Sequence, residues 1–526
     1  MNIGSIPYRN AKRYPNKKAL VDEENGRSLT YSEFNERVNR LANGLLALGF
    51  KKGDGVGIYS KNCLEMLEAF FACGKIGMVF QPMNWRFRPE EVAYGLNDGR
   101  PPVILVHQEF AASFENVRKQ CPSIKSILGI GPEHGLEGDY ERLLADSDAA
   151  EPEKWDEIHD DDVVFICYTG GTTGISKGAM LTHKNVMTHT YNQDAVERIT
   201  HKDVFLLLGQ MFHVAVLFVF PFLLYGAKVV VMNFEARRVL EAIQKYGVTS
   251  MPSIATMINY LIDVPDFERY DVSSLRIMSY GSAPVSFSTL RRAMDKFPGT
   301  QFYQIMGQTE ASLIALILPP EDHALEPSKT QLRRLQGCGR EALMSDARVV
   351  DQNDEDVPKD GQSVGEFVYR GDMVMKGYLN KPELTAETLR GGWCHSGDLG
   401  AWDEDGYFYV VDRKKDMIIS GGENIFSAVV EEAVYKHAAV KECAVIGVPH
   451  KTWGETVKAV VVLKQGMTAT AEEIIQVCKE NLASYMKPTS VDFVEELPKA
   501  PTGKILKRVL RERYWKELTA RRVGAV

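Results

Sequence analysis

Behind Thr30-Tyr31-Ser32-Glu33, apolar side chains recur at Phe34, Val38, Leu41, Leu45 and Leu48. Steps of three and four put them on one face of a helix. The Thr30 and Glu33 pair has the spacing of a capping box, and Gly49 supplies a stop. Gly55–Ser60 reads as a strand, Asn62 as the cap of a second helix to about Lys75, and Val79–Gln81 as a strand closed by Pro82. This strand–helix–strand order predicts a parallel sheet with crossover helices.

The alternation returns farther along. Val163–Tyr168, Lys228–Met232, Leu275–Tyr280 and Gln301–Ile305 are strand candidates. Helices are predicted from Asn185 onward, over Ala236–Tyr246 and near Ser288–Lys296. The most apolar stretch, Val214–Met232, is interrupted by Pro221, Gly226 and Lys228. It falls short of a clean ~20-residue membrane span and reads as buried core. From Ala347 to Val411, short alternating segments with Gly and Asp turns predict a β-rich subdomain. A charged bridge follows, Asp412-Arg413-Lys414-Lys415-Asp416, and then a compact α+β unit. The expected fold class is therefore α/β. A large multi-lobed N-terminal domain (1–411) has parallel-rich sheets and the β-rich subdomain. A hinge (412–416) joins it to a small mobile α+β C-terminal domain (417–526).

Composition narrows the function classes. With 526 residues, 44% of them hydrophobic, the chain can bury large cores and is not a disordered protein. A net charge of −8 argues against a general nucleic-acid binder. The basic run Lys504, Lys507, Arg508, Arg511, Arg513, Lys516, Arg521, Arg522 reads mainly as a solvated helix face, with local attraction for an anionic ligand as the sharper alternative. Eight cysteines stand singly, without CxxC or zinc spacing, as expected for reduced, mostly buried thiols of a cytoplasmic protein. Met1-Asn2-Ile3-Gly4-Ser5 lacks the basic-then-apolar pattern of a signal peptide.

The most informative stretch is Tyr168-Thr169-Gly170-Gly171-Thr172-Thr173-Gly174-Ile175-Ser176-Lys177-Gly178. Four glycines allow tight turns that expose N–H groups, three threonines add hydroxyls, and Lys177 adds a charge. Such a loop can wrap nucleotide phosphates. It is not a Walker A loop, because Ser176 and Gly178 flank the lysine where that motif has Gly and Ser/Thr. The loop resembles the phosphate loop of the adenylate-forming superfamily, which includes acyl-CoA synthetases. Gly170 stands where that family usually has Ser, and Ser176 where it often has Pro.

Further matches follow in the family's order. Gly307-Gln308-Thr309-Glu310 resembles the segment whose Thr meets the α-phosphate and whose Glu holds Mg²⁺, a hard cation suited to carboxylate oxygen. Met306 occupies the place of the usual adenine-stacking Tyr. Gly281-Ser282-Ala283-Pro284 matches the loop lining the adenine and acyl sites. Ser396-Gly397-Asp398 resembles the ribose motif, in which one carboxylate accepts two hydroxyls. Arg413 matches the ribose-contacting arginine and Lys415 the hinge residue. Ser420-Gly421-Gly422 matches the pantetheine (CoA) tunnel, with Ser427 beyond it where Pro is common. Pro501-Thr502-Gly503-Lys504 matches the loop of the catalytic lysine, whose ammonium would stabilise the charged transition state. Phe212-His213 matches the aromatic pair at the acyl pocket, with Val214 and Ala215 beside it; a packed core histidine competes for His213.

The resemblance implies activation of a carboxylic acid by ATP with Mg²⁺ through acyl-AMP, then transfer to CoA. No Asp lies near Val214 to pair a substrate ammonium, so the acid is expected to be hydrophobic and uncharged. Catalytic roles fall to Lys504, Glu310, Thr309 and His213. ATP contacts fall to Thr169, Gly170, Gly171, Thr172, Thr173, Gly174, Lys177, Gly281, Ser282, Ala283, Met306, Gly307, Asp398 and Arg413. A carrier-loading enzyme and a non-catalytic acyl-AMP or nucleotide sensor remain alternatives. So do chain length, ring or straight chain, direction, and oligomeric state, a homodimer included. No nucleic-acid partner and no integral membrane segment are expected.

Overall fold

The computed structural model describes residues 2–153, 157–169, 176–282, 285–421, 423–450, 452–499 and 505–523, the last eight by backbone alone. It divides into two compact units. The first comprises residues 1–347 and 368–395, the second residues 348–367 and 396–526.

Two large sheets build the first unit. One runs in the order Arg340–Glu341, Leu316–Leu318, Gln301–Met306, Ile277–Gly281, Ser250–Ile254, Val204–Leu207, Lys228–Val231, Lys18–Asp22, Ser28–Thr30. It is parallel from Gln301–Met306 through Lys18–Asp22 and antiparallel at both ends. Leu20 lies opposite Val229, so a strand near the N-terminus completes a sheet built mostly from residues after 200. The other sheet runs Gly377–Tyr378, Lys177–Thr182, Val163–Thr169, Val79–Met83, Gly55–Tyr59, Val103–His107, Ser126–Ile130, Gly138–Asp139. Its first two strands are antiparallel to their neighbours and the rest are parallel. The expected crossover architecture is present.

The helix Tyr31–Ala47 begins with the predicted capping box. Thr30 Oγ1 accepts the Glu33 N–H at 3.2 Å, and Glu33 Oε2 accepts the Thr30 N–H at 2.7 Å. The next helix, Leu64–Ile76, buries every residue. Its Phe70 ring stacks on Phe80 at 4.6 Å and meets Phe220 at 5.0 Å. A helix apolar on all sides belongs inside a protein, and its few charges must then be paired. Glu65 pairs with Arg27 at 2.6 Å and Glu68 with Arg37 at 2.7 Å. Lys75 Nζ donates to Asn35 at 2.8 Å, to Asn39 at 2.6 Å and to Glu151. Burial still lowers the Lys75 ammonium to about 8.

One expectation needs correction. Asn62 does not cap this helix; Cys63 holds the cap position. The Asn62 amide instead bonds a distant loop, because a carboxamide near 6% exposed needs partners for both ends. The β-rich stretch expected from Ala347 to Val411 is present as a four-stranded sheet in the order Asp346–Val350, Gly365–Arg370, Cys394–Trp402, Phe408–Arg413. Gly377–Tyr378 adds a strand to the eight-stranded sheet of the first unit, and the helix Pro382–Thr388 interrupts the stretch.

In the second unit, Asp398 pairs with Arg413 and Trp402 with Phe408 in an antiparallel ribbon. The boundary between the two units thus falls before the bridge at 412–416, because this ribbon leads directly into it. Beyond lies a sheet in the order Glu423–Ile425, Ile418–Ser420, Gly454–Leu463, Val440–His450, with Ser490–Phe493 parallel to Gly454–Leu463. Helices Ser427–Tyr435, Ala471–Asn481 and Lys507–Val523 accompany it. All eight cysteines are free and buried. Val214–Met232 is core, as expected: a 3₁₀ turn, a short helix and a strand, nearly all buried. Among the described residues, no helix is long and apolar enough to cross a membrane.

Candidate active site

In the first unit, Val163–Thr169 and Lys177–Thr182 form an antiparallel pair in which Thr169 faces Lys177. They are the two stems of the Gly/Thr loop. Ser176 Oγ donates to the Thr169 carbonyl at 2.8 Å and pins the stems together. Gly170, Gly171, Thr172, Thr173 and Gly174 lie outside the described residues, as do Ala283, Gly422 and Lys504.

The Lys177 ammonium stands 5.2 Å from the ring centre of Tyr378, and the Tyr378 hydroxyl donates to Glu310 Oε1 at 2.6 Å. Burial and the Glu310 charge together push the Tyr378 hydroxyl far up, so it stays a donor. Glu310 is fixed at its backbone as well, its carbonyl accepting the Met375 N–H at 2.8 Å. One carboxylate is thereby aimed by a phenol, with Lys177 close by.

The chain reaches Glu310 through a tight excursion from the strand Gln301–Met306. A Cβ on Gly307 would meet the Leu313 carbonyl oxygen at 2.3 Å, so only glycine fits there. The 3₁₀ turn Thr309–Ala311 follows. Ser312 and Leu313 then take positive φ, 47° and 81°, a strained pair. Ser312 Oγ offsets part of that cost by donating to the Met373 carbonyl at 2.7 Å.

Cys167 ties three sequence matches together. Its thiol is pushed up to about 12, first by burial and then by the Glu310 charge; hydrogen bonds with Val214 and Thr309 oppose the rise. The strand before the Gly/Thr loop, the Thr309–Glu310 turn and the start of the Val214 turn thus meet at one buried atom.

Phe212 and Val214 are buried, and His213 and Ala215 partly so. Burial lowers His213 to about 4, so its ring is neutral at pH 7. Asn62 holds the segment in front of them. Its Oδ1 accepts the Met211 N–H at 2.9 Å, and its Nδ2 donates to the Gly209 carbonyl at 2.9 Å. Trp85 Nε1 donates to Gln210 at 3.0 Å. Gly281 ends its strand tightly, a Cβ there meeting the Ile305 carbonyl oxygen at 2.5 Å, and Ser282 follows at φ 66°.

In the second unit, Asp398 is buried and ion-paired with Arg413. Ser396 Oγ accepts the Asp398 N–H at 3.0 Å and donates to the Phe367 carbonyl at 2.7 Å. Gly397 takes φ 72° and gives its N–H to Glu366 at 3.0 Å. The Lys415 ammonium is lowered by burial, and Arg511 donates to the Lys415 carbonyl at 2.9 Å. Gly421 takes φ 61° and its N–H reaches the Trp453 carbonyl at 2.9 Å; Ser420 lies opposite Gly454.

Among the described residues, no cluster of three His, Cys, Asp or Glu side chains could hold a metal by itself. Glu310 offers one hard oxygen ligand, the kind that Mg²⁺ takes together with phosphate oxygens and waters. The residues fit a cation that arrives with its phosphates. Sequence reasoning missed Tyr378, Asn62, Trp85 and Gln210. Only Gly377-Tyr378, a glycine–aromatic pair in a polar stretch, hinted at the first.

Residues 8–379 match the family model described as AMP-binding enzyme, and residues 429–504 the one described as AMP-binding enzyme C-terminal domain. The chain belongs to the AMP-binding enzyme family. It is 38% identical over 520 residues to a feruloyl-CoA synthase of Amycolatopsis sp, covering 97% of this chain and 99% of that protein. It is 33% identical over 515 residues to the long-chain-fatty-acid–CoA ligase FadD13 of Mycobacterium tuberculosis, covering 98% of each. The crystal structure of ATP-bound MatB from Rhodopseudomonas palustris superposes with a TM-score of 0.85 at 28% identity, covering 98% of both chains.

Proposed function

We propose that this enzyme is an AMP-forming acid–thiol ligase. A hydrophobic carboxylic acid attacks the α-phosphate of Mg·ATP, giving acyl-AMP and pyrophosphate. The CoA thiol then attacks the acyl carbon, giving acyl-CoA and releasing AMP. The observation that carries the reading is the Glu310 carboxylate held by Tyr378 beside Lys177, next to the stems of the phosphate loop. Relatives named for CoA-ester formation support it.

The proposed roles follow from chemistry. Thr169, Lys177 and the loop between them hold the β- and γ-phosphates. Thr309 meets the α-phosphate. Glu310 would hold the Mg²⁺ ion, which would draw charge from the phosphate oxygens. Gly281, Ser282 and Met306 line the base, and Asp398 with Arg413 meets the ribose. Phe212, Val214 and Ala215 form the apolar acyl wall, and neutral His213 stands at its mouth. Lys504 supplies an ammonium for the charge that develops in adenylation. The chain after Lys415 reorients between the half-reactions, and Ser420, Gly421 and Gly422 then line the pantetheine path. Catalysis is mainly positioning and charge stabilisation.

The test is mass spectrometry of products from ATP, Mg²⁺, CoA and a panel of straight-chain, cyclic and aromatic acids. An acyl-CoA product is expected, and its mass names the acid class. Acyl-AMP without acyl-CoA would favour the carrier-loading alternative, and neither product would overturn the reading.

A further inference from the structure

Asp412 precedes the Lys415 bridge in sequence, yet its buried carboxylate is occupied by residues that follow it. Oδ2 accepts the Ser427 N–H, the Ser427 hydroxyl at 2.8 Å and the Ala428 N–H at 3.4 Å. Oδ1 accepts the Arg413 N–H at 2.7 Å. Lys507, at the start of the C-terminal helix, donates to Ser427 Oγ at 2.7 Å and pairs with Glu431 at 2.7 Å. An ammonium only donates, so Ser427 Oγ must accept from Lys507, and its single hydrogen is left for Asp412. Glu431 is held in turn by the Val445 N–H at 2.7 Å. Ser427 itself is fully buried.

These contacts fall into two classes about Lys415. Turning its φ and ψ carries everything from its carbonyl onward as one body. The Arg511 bond to that carbonyl, the Lys507–Glu431 pair and the Val445 bond all lie on the moving side and survive. The Asp412 bonds to Ser427 and Ala428 cross the pivot and break.

Resting on the proposed reorientation at Lys415, we infer that Asp412 and Ser427 form a latch, set by Lys507, that holds one arrangement of the bridge and must open for the other. Asp412, Ser427 and Lys507 are positioning residues: they touch no substrate and set the balance between the two half-reactions.

Ser427→Pro tests this cleanly. Ser427 is the first residue of its helix, where proline fits, and Phe426 already has the extended backbone that a following proline requires. The variant loses both the N–H and the hydroxyl. Ser427→Ala, which keeps the N–H, and Asp412→Asn are companion variants that guard against a folding defect. Spin labels go on Gln352→Cys and Gln465→Cys, exposed positions of the second unit on opposite sides of the bridge, in the full-length protein; the native cysteines are buried. Charged hydrogen bonds of this kind shift a two-state balance roughly tenfold or more. The expected result is a second label distance gaining weight by that factor in Ser427→Pro and less in Ser427→Ala. The rates of pyrophosphate release and thioester formation should change in opposite directions. An unchanged distance distribution, or equal loss of both rates in a folded variant, overturns the latch. Failure of the wild type to form acyl-CoA would instead overturn the proposed function.

Discussion

Tyr378 donates its phenolic hydrogen to Glu310 Oε1 at 2.6 Å, although 67 residues separate them in sequence. The pairing engages Oε1 and fixes the carboxylate's direction; on the proposed reading Oε2 meets the cation. Tyr378→Phe keeps the ring under Lys177 and removes only this bond. Adenylation should fall about tenfold, and the Mg²⁺ concentration for half-maximal rate should rise. Pyrophosphate release titrated with Mg²⁺ checks both. An unchanged Mg²⁺ midpoint would count against Glu310 as the cation ligand.

Asn62 braces the peptide just before Phe212 and His213 through Gly209 and Met211. Asn62→Ala removes both bonds while leaving the proposed nucleotide contacts untouched. The KM for the acid should rise roughly tenfold and that for ATP far less. Equal rises in both would mean that Asn62 supports the whole fold and not the acyl wall.

His323 is lowered to about 4, chiefly by burial. Its Nδ1–H donates to the Pro319 carbonyl at 2.9 Å, so Nε2 accepts the Tyr280 hydroxyl at 2.8 Å and the ring is neutral. Unfolded histidine titrates near ~6.5. Between these values the unfolded chain binds the extra proton, so this contribution to stability is present above about 6.5 and is lost as pH falls toward 4. In thermal melts at pH 7.5 and pH 5, His323→Gln should lose less Tm on acidification than the wild type. Parallel losses would show that His323 does not titrate on unfolding.

Arg511 fastens the bridge by bonding the Lys415 carbonyl and pairing with Glu455 at 3.0 Å. Arg511→Met frees the carbonyl and the chain around it. Tryptic cleavage within Arg413–Lys415 should speed up about tenfold, because local opening precedes cleavage. Timed digestion read by mass spectrometry checks this; an unchanged rate would mean that other contacts hold the bridge closed.

Local patterns were legible in the sequence wherever one segment decides its own structure. The Thr30–Glu33 capping box and the helix Ala236–Tyr246 stand as read, because spacing and end residues suffice for a helix. Gly307 was legible through its motif, and the structure adds the reason, a carbonyl where a Cβ would be. Asn62 was misread because capping and long-range bonding use the same amide; what lay 147 residues away decided between them. Tyr378 was invisible for the same reason, since its worth lies in a partner that a sheet edge delivers. Ser427 reads in the sequence only as a serine where Pro is common; its partners Asp412 and Lys507 lie 15 and 80 residues away and meet it through the fold.

The register of Leu20 against Val229 has a consequence during synthesis. The strand Lys18–Asp22 leaves the ribosome roughly two hundred residues before its parallel neighbour, a wait of about 10–40 s at ordinary elongation rates. Until then its Ala19-Leu20-Val21 edge is open to other nascent chains. The earliest-made strand of the large sheet therefore waits longest for its parallel partner, and slowing translation between residues 30 and 230 should lower the yield of folded enzyme more than slowing it after 240.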